Sequence, residues 1–179
     1  MAAAVKSALI LRTAVRALLL FCLVVWLGGL LFFGAVVAPV AFGILMPMIP
    51  DPAFGLHVAG TMVRNSLLQL HWMGLIAGAA MIFLCAVERG MQWTRRSVVP
   101  YFVVLGVMLA LTAFSQFSII PRMETLRLQA GSAIDNPTSD NPARVEFNRL
   151  HNISTQLEGG VLVGGLVLVV LLARPEPQP

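Results

Sequence analysis

The chain has 179 residues, of which 58% are hydrophobic and 11% charged, where a soluble domain carries about 45–50% and about 25%. A domain of this size has too little interior to hide that much apolar surface. The composition therefore excludes a disordered chain, a secreted disulfide scaffold and a nucleic-acid module, and predicts an integral membrane protein that binds no nucleic acid. The net charge of +4 comes from basic residues at the ends of apolar runs, where they set topology and meet anionic lipid.

Four apolar runs, at about 17–46, 67–87, 98–120 and 153–173, each hold the ~20 residues that cross ~30 Å of hydrocarbon as a helix. Lipid offers no partner for open backbone groups, so helices are the spanning form. The expected fold is all-α: one membrane domain over 1–179, a four-helix bundle in a plasma (inner) membrane. The first run is too long for a straight span, so it tilts or extends beyond the bilayer after Pro39. Lys6, Arg12 and Arg16, then apolar residues, then Val36-Val37-Ala38 mimic a cleaved signal. The run exceeds the roughly 7–15 residues of a signal's apolar core, and Pro39 would follow the cut, so a retained helix is expected.

Four spans place the N-terminus, the second loop and the C-terminus on one side. That side holds Lys6, Arg12, Arg16, Arg89, Arg95, Arg96 and Arg174 against Glu88 and Glu176; the other holds five arginines and five acids. The positive-inside rule puts both termini in the cytoplasm. In the first external loop, Asp51 suits an N-cap and Pro52 a first helical residue, so 52–66 reads as a short amphipathic helix at the interface, carrying His57. In the second, about 121–152, residues 122–130 read as helix, Gly131-Ser132 and Asp135-Asn136-Pro137 as turn and loop, and a further helix starts near Asp140-Asn141-Pro142 and runs into span four. Spans three and four then form a hairpin that projects past the membrane. The tail 174–179 reads as a short disordered end.

Small residues four apart let helices approach closely in lipid. Gly74 and Gly78 in span two, Gly160 and Gly164 in span four, and Gly28 and Gly29 in span one offer such faces. The plainer use is packing within the bundle; the other is a homo-oligomer or a larger membrane complex. Cys22 and Cys85 lie in apolar stretches, so neither suits a disulfide. With nine Met they could offer soft ligands for Cu(I), although such residues in membrane helices are more often packing.

Ionisable groups at membrane depth are costly and mark candidate sites. His71 lies one turn into span two, and Ser115 and Gln116 near the outer end of span three. On span four, His151, Ser154, Thr155 and Glu158 share one helical face. With Arg64 and Arg122 nearby, Arg122, His151, Ser154, Glu158, His71 and Gln116 form a candidate polar pocket open to the outside. Glu158 needs a cationic partner or a proton; it reads as a proton or cation site, or as a structural hydrogen bond to a neighbouring helix. His71 and His151 could be axial ligands of a b-type haem, or simply interhelical hydrogen-bonding groups. No cofactor is predicted and no metal is assigned. The chain has no Cys-x-x-Cys, zinc-protease, nucleophile-elbow or Walker motif, so an enzyme is not expected.

Trp26-Leu27-Gly28-Gly29-Leu30-Leu31-Phe32-Phe33, then Val37-Ala38-Pro39-Val40-Ala41-Phe42, Ile120-Pro121-Arg122-Met123, and Phe147-Asn148-Arg149-Leu150-His151-Asn152-Ile153-Ser154 together resemble the transmembrane-protein-205-like family, over about 15–173. The resemblance implies a multi-pass helical protein with an extended loop between its last two spans. It puts weight on Pro121, Arg122, Phe147, His151 and Ser154, and implies no established activity. A looser likeness exists to copper-resistance membrane domains, but the metal-ligand histidines expected around their Trp-x-Gly-Gly motif are not in this sequence. Three functional readings stay open: a non-enzymatic membrane protein of transport, stress or metal tolerance, or an accessory subunit; a haem- or metal-binding redox protein using His71 and His151; and a purely structural subunit.

Overall fold

The computed structural model describes residues 2–93, 97–135 and 140–174. Helix α1 (Ala2–Phe32) passes through a wide π turn at Phe33–Val37 into α2 (Ala38–Met48). After a short bend, α3 runs over Pro52–Gly90. Helix α4 (Val99–Phe114) passes through a second π turn, Ser115–Ile119, into α5 (Ile120–Ala130); a short α6 (Ser132–Asp135) and the long α7 (Pro142–Ala173) follow. Four stretches of this chain are long and apolar enough to cross a membrane.

The four spans close a bundle. α1 packs on α3, α3 on α4, α4 on α7, and α7 back on α1. Leu19, Leu23, Trp26, Met81, Leu105, Met108, Val161 and Leu168 fill its centre. Large apolar side chains also cover the outside, among them Phe21, Val24, Ile76, Phe83, Val107 and Val163. An apolar exterior of that extent has lipid as its solvent. At the end holding the N-terminus, Arg16 Nε donates to Glu88 Oε1 at 3.2 Å, and Tyr101 Oη donates to the Leu171 carbonyl at 2.8 Å.

Both π turns have the same cause. Each ends two residues before a proline, Pro39 or Pro121. A proline inside a helix removes an N–H and crowds the carbonyl four residues back; one residue of extra slack in the preceding turn absorbs that conflict and lets the helix continue. The first run thus stays helical through Pro39 to Met48.

The structure corrects the reading of 52–66 as a separate interfacial helix. α3 is one rod of 39 residues. Asp51 caps it, with Oδ1 accepting from the N–H groups of Ala53 and Phe54. No proline interrupts it, and its weak points, Gly55 and Gly60, are held against Met46 and Arg127. Ser132–Asp135 is likewise a helical turn rather than loop, entered through Gly131 at φ +55°. The expected start of the last helix matches: the Asn141 side chain accepts from Ala143 N–H, and Pro142 is the first helical residue. Asn136, Pro137, Arg95, Arg96 and the tail 175–179 lie outside the described residues.

A buried histidine between three helices

α3 contributes a buried stripe of Leu70, His71, Gly74, Ala77, Gly78 and Met81. His71 is 2% exposed and faces two partners. Its Nδ1 lies 3.0 Å from Gln116 Oε1, on the π turn after α4, and its Nε2 lies 2.7 Å from Glu158 Oε1, on α7. The Gln116 oxygen only accepts, so Nδ1 carries the proton. One further proton lies between Nε2 and Glu158, either on an imidazolium donating to a carboxylate or on a carboxylic acid donating to a neutral imidazole. Nearby, the Ser115 and Ser154 hydroxyls meet at 3.4 Å, and Thr112 is buried with its hydroxyl unpartnered.

The π turn is what presents this polar set. Thr112, Ser115, Gln116, Ile119 and Ile120 are all buried. The widened turn aims two adjacent pairs at the core, where an α-helical stripe would be narrower. On α7 the buried stripe is Leu150, Ser154, Val161, Gly165 and Leu168. Glu158 sits on its flank with a side chain 16% exposed, so the carboxyl reaches inward to His71 while its edge stays accessible.

His71, Gln116, Glu158 and Ser154 are therefore brought into one core region, and Arg122 and His151 are not. Arg122 is exposed and pairs with Glu146 at 3.0 Å, as part of a rim that includes Arg149. His151 is exposed and sits seven residues before Glu158, about 10 Å along the helix axis. In place of a pocket shared with His151, Arg122 takes the Glu146 pair, because a helix turns by about 100° per residue and Glu146 is the α7 position that meets Arg122 on α5. His71 Nε2, the nitrogen that would face a haem iron, is taken by Glu158. Cys22 and Cys85 are free thiols. Among the described residues no group of three or more His, Cys, Asp or Glu could hold a metal.

Of the glycines on the small-residue faces, all but Gly28 pack against side chains inside the bundle. The indole of Trp26 lies directly on Gly74 and Gly78, where a Cβ on Gly78 would come within 2.6 Å of the ring. Met108 covers Gly164, Leu111 approaches Gly160, and Leu70 approaches Gly29, while Gly28 faces open space.

Residue patterns alone did not single out the network on the projecting hairpins. Asp135, 3% exposed, accepts from Arg127 Nη2 at 3.2 Å and meets His57 Nδ1 at 2.9 Å. Arg127 also stacks its guanidinium over Phe147, and Arg64 pairs with Glu124. Glu124–Arg127 at three-residue spacing was a visible hint, but their partners come from other helices.

A family model for a domain of unknown function, DUF4149, matches residues 21–132. The match covers more than half of the chain, and the chain belongs to that family. It includes His71 and Gln116 and ends before Glu158. No curated protein and no solved structure matches the chain.

Proposed function

We propose that this chain is a non-enzymatic, proton-responsive membrane protein, with the His71–Glu158 pair as its proton-binding site. The observation that carries this reading is a 2%-exposed histidine held between Gln116 at 3.0 Å and Glu158 at 2.7 Å. A purely structural clamp between helices needs no ionisable side chain, and intramembrane ionisable pairs are expensive. A pair that shares one mobile proton and keeps one carboxyl edge accessible can load and release that proton without dismantling the bundle. Below the pair, toward the N-terminal end, the core is apolar around Met81, Leu105 and Leu168. Access is therefore from the end that carries the helical extensions. Membership in a family of unknown function supplies no activity, and the likeness to the transmembrane-protein-205-like family adds none. The haem reading finds little support in a His71 whose ring nitrogens are both engaged. The structural-subunit reading loses the glycine faces that Trp26 and Met108 already fill. We further place both termini in the cytoplasm, on the side richer in Lys and Arg.

The test is infrared difference spectroscopy of the full chain in liposomes, stepped in pH between about 4 and 10, the range over which carboxyl and imidazole groups titrate. The expected result is a protonated-carboxyl band that changes with pH and is absent in Glu158→Gln, with His71→Ala moving its midpoint. A carboxyl region identical in wild type and Glu158→Gln across the whole range overturns the reading.

A further inference from the structure

At the end of the bundle away from the N-terminus, α2, α3, α5, α6 and α7 line a partly open cavity of about 250 Å³. That is the volume of roughly eight liquid waters. Phe42, Leu56, Leu67 and Ile120 give it apolar walls, and Arg144 and His151 join them. Leu67 and Ile120 stand one helical turn beyond His71 and Gln116, so the cavity lies on the accessible side of the buried pair.

Its charges do not balance internally. Arg64 is paired with Glu124, and Arg127 with Asp135. Arg144 has no ion pair among the described residues, and its Nη1 is buried without a hydrogen-bond partner. A guanidinium nitrogen removed from water without an acceptor is among the costliest groups a protein can bury. Arg144 itself, half-buried, lines a space large enough to admit an anion. The arginine fork suits a carboxylate or phosphate, and the walls opposite suit hydrocarbon.

We propose that this cavity binds an anionic amphiphile with a single acyl chain, its carboxylate or phosphate on Arg144 and its chain against Phe42, Leu56 and Leu67. The volume of about 250 Å³ falls just below the roughly 300–1,000 Å³ of ligand pockets, so it takes the head and adjoining part of one chain, the rest leaving through the open side, and not the two chains of an ordinary bilayer lipid. The site uses residues distinct from the His71–Glu158 pair, so it stands or falls separately from the proton reading.

The test is binding to the full chain in nanodiscs of phosphatidylcholine, with three probes of equal chain length: palmitate, palmitoyl-lysophosphatidylglycerol and uncharged monopalmitoylglycerol. The expected result is saturable binding of one or both anionic probes, weaker by at least about tenfold for the uncharged one and in Arg144→Gln, with Arg144→Lys intermediate. Palmitate alone identifies a free carboxylate ligand; the lysophospholipid alone identifies a membrane-derived phosphate ligand. Equal binding of all three probes, binding of none, or affinity unchanged in Arg144→Gln overturns the proposal. Should Arg144→Gln fail to fold, Leu56→Trp decides the question by filling the apolar limb with Arg144 in place: loss of binding supports the site, and unchanged binding overturns it.

Discussion

His71 shows how a single side chain can fasten three helices. Its two nitrogens are satisfied from opposite directions, by an amide on the turn after α4 and a carboxyl on α7. Removing the amide leaves the Nδ1 proton facing an apolar wall. Replacing Gln116 with Leu, close in volume, should therefore lower stability by about 1–3 kcal/mol, the cost of an unsatisfied buried donor. Denaturant unfolding of the full chain in mild detergent measures it. A Gln116→Leu protein as stable as wild type would show that His71 Nδ1 does not donate to Gln116. All three members of the set were recognisable in the sequence, because an ionisable or amide group in an apolar run is conspicuous. Their pairing was not. It depends on which face of α7 turns inward, and Glu158 sits on the flank of that face rather than at its centre.

The same difference between residue and partner recurs at the level of helices. Spacing marks Gly28 and Gly74 alike as small residues in a span, yet the structure gives them opposite surroundings. Gly74 receives the Trp26 indole, and Gly28 has nothing within 4 Å of where a Cβ would sit. Alanine at Gly28 should leave stability unchanged or raise it by up to ~1 kcal/mol, since alanine is the better helix former. Alanine at Gly74 should cost about 1–3 kcal/mol, because the indole must move out of a filled groove. Thermal unfolding of the two variants side by side separates these cases; equal effects would mean that Trp26 does not seat on α3 as described. Hydrophobic runs located the spans, since length and apolarity alone decide what can cross lipid. They understated how far each helix continues, for two reasons. Arg64, Asn65, Ser66 and Gln69 are polar but perfectly compatible with helix, so α3 does not stop where its hydrophobicity does. Pro39 and Pro121 are absorbed by π turns, which no local propensity announces.

Taken whole, the molecule is longer than the membrane it crosses. Rods of 43, 39, 32 and 32 residues span about 48–65 Å at 1.5 Å per residue, against ~30 Å of hydrocarbon. Much of the excess gathers at one end. There α2 lies along the start of α3 and α5 along the start of α7; Arg64–Glu124 and His57–Asp135 join the two hairpins, while Arg122–Glu146 and Arg127–Asp135 brace the second one internally. The opposite end carries Lys6, Arg12, Arg16 and Arg89 on or near the span ends, positions where basic residues govern orientation. That asymmetry predicts a definite topology. Cysteine at Asp140, exposed at the tip of the α7 hairpin, should react with a membrane-impermeant maleimide in intact cells. Cysteine at Lys6, exposed near the start of α1, should react only after permeabilisation. Wild type supplies the background, since Cys22 and Cys85 lie within the spans. The reverse labelling pattern would turn the extension toward the cytoplasm. The His71–Glu158 pair would then exchange its proton with the cell interior, and the cavity bounded by Arg144 would draw its amphiphile from the inner leaflet. On the proton reading, the orientation decides with which compartment the pair exchanges, and this pair of labelling experiments decides the orientation.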